Sequence, residues 1–377
     1  MSTVPLSVLD LVPVVSGSDA GAAVRNAVDL ARSADAFGYS RYWVAEHHLN
    51  PGVAGTSPAV VLALLGGATE RIRLGSAAVL TAHRTALSVV EEFGLLDAAF
   101  PGRIDLGLGR SKLRAPGKGA GEAPPPPTPV QQDNRYAPNG LLLPPPFSPG
   151  ALLTSPRFAL QAALLQQPGA ATPHYDRLVA DVLSLLAGTY RSEPGVEARP
   201  VPGAGAPIEL WIMGSSPGES AEVAGQQGLR FGANYHVAPS AVIDAVTAYR
   251  TAFRPSAGLA APFVSVSADV VAADDDETAR ELATGYALWT LSIRSGQGAI
   301  PFPTPEEARV HTWTDEERAL VQDRVDTQFV GSADTVVRRL AQLQEATGAD
   351  ELAITTITHD HADRVRSYEL LAKAWLG

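Results

Sequence analysis

Eight short apolar runs, each followed by a stretch of helical period, predict an α/β fold: one (β/α)8 TIM barrel spanning residues 1–377. Two further observations shape that prediction. The runs end in polar or small residues, and the first strand-to-helix turn lacks the glycine-rich fingerprint that an open, dinucleotide-binding sheet would carry. In such a barrel catalytic groups stand at the C-terminal ends of the strands, so those ends are where function is sought.

The strands are expected at Leu6–Val14, Arg41–Glu46, Ile72–Leu80, Ile104–Leu108, Ile208–Met213, Leu229–Ala233, Phe263–Val271 and Glu351–Ile357. Each is a run of β-branched or other apolar residues too short for a helix. Between them, apolar residues recur at helical spacing over Ala20–Phe37, Pro58–Glu70, Ala86–Ala99, Tyr175–Leu186, Gly218–Gln227 and Ser240–Thr251. The same spacing continues over Asp276–Ser295, Asp334–Thr347 and Asp360–Trp375. Gly38, Gly188, Gly228 and Gly348 sit just past helix ends, where a left-handed cap is wanted. After strand four the regularity stops. Residues 116–149 hold 11 of the 30 prolines, which predicts an extended insertion without helix or sheet pairing. It leaves from the active-site face, so a part in a lid over the pocket is expected, against a solvated loop.

Composition removes several classes of function. The net charge of −11 counts against a nucleic-acid partner, which would need clustered Lys and Arg. No run of 18 apolar residues offers a membrane span, and the N-terminus lacks the basic start of a signal peptide, so a cytoplasmic protein is expected. The absence of cysteine excludes disulfides, thiolate metal sites and a Cys nucleophile. A phosphate-binding GxxxxGK[ST], a metalloprotease HExxH and a hydrolase GxSxG are all missing.

The strand ends carry the chemistry. Strand two ends in VAEHHL, and alternation along a strand would turn one of His47 and His48 to the mouth and the other away. The pair reads either as a general acid/base supported by Glu46 or as structural histidines with a carboxylate partner. Gly75, Ser76, Ala77 and Ala78 on strand three mark either tight packing or close approach of a flat ligand; His83 follows a few residues on. Arg110, after Gly107-x-Gly109 on strand four, suits a phosphate or a nearby carboxylate. On strand five, Gly214, Ser215, Ser216 and Gly218 form a strand-to-helix turn that can bind an anion or merely cap the helix. Asn234 and His236 close strand six. His359-x-His361 has metal-ligand spacing, but Asp360 and Asp363 read as an N-cap and an acidic first turn, so no metal is expected.

VAEHHL, LGSAAVLTAHRTAL, FPGRIDLGLGRS, WIMGSSPGESAEVAG and ADELAITTITHDHADRVRSYELLA, in this order, resemble the bacterial luciferase-like superfamily of flavin-dependent monooxygenases. The resemblance covers the chain outside 116–173. It implies that Ala77–Ala78 is a non-proline cis peptide against which the flavin lies. It implies that Arg110 holds the FMN phosphate, with Ser215, Ser216 and the Gly218 backbone around it. His47 matches the catalytic histidine, with His48, His83, Asn234 and His236 lining the pocket. The implied reaction is oxygenation of a small organic substrate through a C4a-hydroperoxyflavin, the reduced FMN coming from a separate flavin reductase. A tailoring step of secondary metabolism would suit it, and family members commonly form homodimers. Some relatives use the deazaflavin F420 instead, and a catalytically silent flavin-binding protein is a further alternative. Two positions depart from the luciferases: Gly109 replaces a cysteine beside the flavin, and Gly214 an acidic residue before the serines. Light emission and aldehyde oxidation are therefore not implied.

Overall fold

A computed structural model describes residues 4–110, 133–150 and 155–377. Eight parallel strands close on themselves: β1 (Leu6–Asp10), β2 (Arg41–Val44), β3 (Arg73–Ser76, continued by β4, Val79–Leu80), β5 (Ile104–Gly109), β8 (Glu209–Gly214), β9 (Arg230–Asn234), β10 (Val264–Ala273) and β12 (Glu351–Thr355). Closure is made where β12 pairs with both β1 and β10, Leu6 opposite Leu352 and Val266 opposite Leu352. The helices α1 (Ala20–Phe37), α2 (Pro58–Gly66), α3 (Ala86–Ala99), α5 (Tyr175–Leu186), α6 (Glu219–Gln226), α7 (Val242–Ala252), α12 (Ala333–Thr347) and α13 (His361–Leu376) surround it. The expected TIM barrel is the fold observed.

Local chemistry explains the boundaries. Asp19, Thr85, Ser332 and Asp360 accept backbone N–H bonds at the starts of α1, α3, α12 and α13. Gly38 and Gly348 end α1 and α12 at φ of 89° and 60°, in the left-handed region that a β-carbon disfavours. The apolar faces pack outside the barrel around Leu30, Phe93, Val182, Phe231 and Leu340. Inside, Trp43 and Trp211 meet edge to face at 5.1 Å with Leu9 and Ala353, plugging the lower half.

Several expectations require correction. β1 stops at Asp10, because Val12 takes φ of 55° and Pro13 cannot continue a ladder. β2 stops at Val44, two residues early. The span Asp276–Ser295 is two helices, α8 (Asp276–Leu282) and α9 (Tyr286–Arg294). Beyond it lie unpredicted elements: α10 (Pro305–Arg309), α11 (Asp315–Thr327) and β11 (Phe329–Ser332). β11 pairs with Val270–Ala273, the half of β10 that runs past the barrel.

The proline-rich insertion does pair. β6 (Arg135–Tyr136) and β7 (Leu142–Leu143) form a small antiparallel hairpin. Its turn docks through Asn139, whose side chain donates to Gln342 O and Glu345. Leu142 O accepts from the Tyr235 hydroxyl, and the Arg294 guanidinium lies 4.2 Å over the Phe147 ring. Residues 116–132 of the insertion lie outside the described residues. A further helix, α4 (Pro156–Leu165), follows the insertion and was not expected.

Candidate active site

The C-terminal strand ends surround a cavity of about 540 Å³, the size of a small-molecule pocket. Past Val44 the chain is no longer a strand, so alternation ceases and both His47 and His48 line this cavity. The expectation that one of them packs away is thereby corrected.

Glu46 is 4 % exposed and fully committed. One carboxylate oxygen accepts from His48 Nε2 (2.9 Å) and His83 Nε2 (3.1 Å), the other from the Leu80 N–H (2.9 Å). Burial by itself would raise its pKa, but these donors, with Arg84 nearby, hold it down at about 2. Glu46 is thus a fixed anion that orients imidazoles and does not exchange protons at neutral pH. His83 stands behind it and does not line the cavity, contrary to its expected place in the pocket. The ligand atoms of Glu46, His48 and His83 lie within 4.8 Å of one another, a spacing that could also hold a metal ion. In this structure the carboxylate bonds the Nε2 of both histidines, and His83 Nδ1 is buried without a partner. His359 and His361 take no part: they bond Ser16 O and Asp29, and Asp360 caps α13.

His47 has a different character. Its Nδ1 is buried without a partner, and burial together with neighbouring His48 lowers its pKa to about 4. It is a neutral imidazole at pH 7. His236 faces the same cavity, its Nδ1 held at 2.5 Å from Ser267 Oγ, and burial lowers it too to about 4. Asn234 lines the wall beside it and accepts from the same serine.

On the opposite side the strand-three region separates its two roles. Gly75 is there for packing, since a β-carbon would fall 2.3 Å from the Trp43 ring. Ala77 and Ala78 line the cavity, and the peptide between them is cis. A β-carbon on Gly107 would meet Ser76 O at 2.0 Å, and one on Gly109 would meet the Ala78 methyl at 2.9 Å. Small residues here let two strands lie against each other and leave the cavity wall without bulk. Gly214 is similarly closed to a side chain by Phe231 at 2.9 Å.

At the rim Arg110 pairs with Glu219, the first residue of α6. The carboxylate partner weighed from the sequence is therefore the one the structure contains. Ser215 and Ser216 do not cap α6; Gly218 is its N-cap, without a side-chain bond, and itself lies outside the cavity lining. The two serine hydroxyls have no protein partner among the described residues and open onto the cavity at the positive end of the helix.

The other wall was not anticipated from the sequence. Trp289 and Ile293 come from α9, Arg157 and Phe158 from α4, and Arg324 from α11. Arg324 Nη2 donates to Asp269 Oδ2 (3.0 Å) and to the Tyr286 hydroxyl (2.8 Å), and Nε to the same hydroxyl (3.1 Å). Only Asp269 had a detectable signal, a carboxylate inside an otherwise apolar strand run.

A cavity on these strand ends, with a His pair after strand two and small residues on strand three, matches a family profile. The profile of the luciferase-like monooxygenases aligns with residues 4–132 and 176–351. The chain belongs to this family. A luciferase-like monooxygenase of Escherichia coli K12 is 32 % identical over 368 residues, covering 98 % of this chain and 96 % of its own. The solved structure of apo-MsnO8 superposes with a TM-score of 0.78 at 28 % identity, covering 99 % and 98 % of the two chains. Two more distant structures share the fold. The oxygenating constituent of 3,6-diketocamphane monooxygenase from Pseudomonas putida, in complex with FMN, has a TM-score of 0.64 at 19 % identity, covering 99 % and 97 %. An F420-dependent secondary alcohol dehydrogenase has a TM-score of 0.60 at 12 % identity, covering 99 % of each chain. Both of these distant likenesses concern the fold of this luciferase-like monooxygenase. No helix among its described residues is long and apolar enough to cross a membrane.

Proposed function

We propose that the protein is a monooxygenase that takes reduced FMN from a separate flavin reductase and uses O2 to oxygenate a small organic substrate. The observation carrying this reading is the cavity itself. A wall without bulk at Ala77, Ala78 and Gly109 stands between a neutral histidine, His47, and a rim of Arg110, Ser215 and Ser216. These residues fit a flavin: the bulk-free wall suits a flat ring, and the free serine hydroxyls with the α6 N-terminus suit its phosphate. Arg110 would turn from Glu219 toward that phosphate, with Ser215, Ser216 and the backbone near Gly218 beside it. Bound reduced FMN would supply the electrons that activate O2.

The chain's own part is positioning, proton handling and exclusion of water. His47, neutral with an unpartnered nitrogen, accepts a hydrogen bond or a proton from whatever reacts beside it. Glu46 anchors His48 and His83, so the strand-two end keeps one conformation. His236, fixed by Ser267, limits the far side. The described part of the proline-rich insertion docks on α12, Tyr235 and Arg294 without lining the cavity, and a part in a lid belongs to this reading. Pairing of two copies is also part of this reading, supported by Val60, Leu64, Leu87 and Leu95 exposed on neighbouring α2 and α3.

Mixing the anaerobic protein with reduced FMN and then with oxygenated buffer in a stopped-flow spectrometer tests the reading. The expected result is flavin reoxidation that is slower than in free solution and passes through a distinct absorbance transient. Reoxidation indistinguishable from free flavin, together with tight binding of F420, would assign the protein to the deazaflavin enzymes.

A further inference from the structure

One cavity cation is held by partners that leave two of its five N–H donors open. Arg324 is nine-tenths buried, on a helix that no other part of the candidate chemistry requires. A guanidinium has five N–H donors. Nε and Nη2 are spent on Tyr286 and Asp269, whereas Nη1 has no partner among the described residues, and the side chain lines the cavity. A buried Arg–Asp pair contributes little net stability compared with apolar residues of the same volume. Keeping such a pair with a free N–H edge on a cavity makes sense where that edge meets a ligand.

A second arginine on the same cavity points the same way. Arg157 reaches in from α4; its Nη2 donates to Leu49 O and Asn50 Oδ1, and no carboxylate among the described residues pairs with it. Gly298, at φ of 82°, makes room for it: a β-carbon there would lie 2.3 Å from Arg157 Cζ. The rest of this wall, Leu11, Val53, Phe158, Trp289 and Ile293, is apolar. Arg157 and Phe158 belong to residues 133–175, the stretch that the family profile leaves unmatched.

We propose that the substrate is an organic anion, a carboxylate on an apolar body, read by Nη1 of Arg324 with Arg157 on the same cavity. The proposal rests on the monooxygenase reading only in placing substrate in this cavity. A carboxylate oxygen accepts a charge-assisted N–H bond from Nη1, and inside a cavity walled by Trp289 and Ile293 that contact is far stronger than in water. The matching amide offers only a neutral acceptor and brings no counter-charge to Arg157. Arg110 remains with the rim, and Glu46 is saturated by its own donors, so neither competes for the anion.

The test is a matched pair of probes, 4-phenylbutyrate and 4-phenylbutyramide, titrated calorimetrically into the full-length protein without flavin. The carboxylate should bind at least tenfold tighter than the amide. R324Q and R157Q should each erase about tenfold of that preference while leaving amide binding within a factor of two. Arg157 lies nearer the surface, so R157Q decides if R324Q fails to fold. Equal affinities for the two probes, or a preference intact in R157Q and in folded R324Q, would overturn the proposal. So would a loss confined to FMN binding in R324Q, measured by flavin fluorescence, since the free edge would then serve the flavin. Because the probes are titrated without flavin or oxygen, a failed oxygenation assay would leave this result standing, and the converse holds.

Discussion

The two ends of the barrel are built from the same eight strands and treat charge in opposite ways. At the N-terminal end, Arg41, Arg73, Glu209, Arg230 and Glu351 are each the first residue of their strand, and Asp105 is the second of its own. Three cations meet three anions there. All three nitrogens of Arg41 are used, on Asp105, Glu209 and Glu351, and its plane lies 5.1 Å over Trp211. At the C-terminal end, His47 Nδ1, the Ser215 and Ser216 hydroxyls and Arg324 Nη1 have no protein partner among the described residues. The charged groups of one end are satisfied from within the chain and hold the fold; the other end keeps open positions for molecules that come and go.

The comparison breaks first at the closed end. Glu351 is fully buried and accepts from Ser7, Ser265 and Arg41. Removing it leaves three buried or half-buried cations facing two anions and strips Ser7 and Ser265 of their acceptor, so Glu351→Ala should cost about 3–5 kcal/mol in urea unfolding. Ligand binding by the protein that remains folded should be unchanged. At the open end the expected signature is reversed. His47→Asn should lower turnover about 10²- to 10⁴-fold, the range for a lost acid/base group, while unfolding moves by less than about 1 kcal/mol.

Protonation sharpens the contrast. His47 and His236 titrate near 6.5 when unfolded but near 4 when folded, so the unfolded state binds more protons between those values. Stability should therefore fall as pH drops from about 6.5 to 4, and be unaffected by these groups above 6.5. Unfolding curves at pH 7, 5.5 and 4.5 should register this, and His236→Asn should remove about 1–3 kcal/mol of the decline. The smallest effect belongs to the strap. Phe147→Ala should cost about 1 kcal/mol through its lost contact with Arg294, read as faster proteolysis within residues 133–150.

The barrel was legible because each of its elements announces itself locally. Apolar runs of strand length, amphipathic helices and capping glycines need no knowledge of distant partners. α11 escaped because DEERALVQDRVDT presents no continuous apolar face, and β11 because four residues carry too little pattern. The strand-end residues from Glu46 to His236 were legible by position, yet their roles divided on three-dimensional facts. That Glu46 saturates itself on His48 and His83 depends on a contact across 37 residues. Arg324 meets Asp269 across 55 residues and Tyr286 across 38, so nothing near it in the chain marks it as part of a pocket.

β10 is ten residues long, and Asp269 lies at its midpoint, where pairing with β12 gives way to pairing with β11. Arg324 is therefore indexed to the ladder by its bond to Asp269, although the helix bearing it lies outside the barrel. Its accuracy is inherited from a sheet, which tolerates far less wander than a loop. Lengthening or shortening the segment between β10 and β11 would redraw the outer helices while this one coordinate stays put. The pocket can thus be restyled around a pinned cation, as a lock is rekeyed without replacing its bolt.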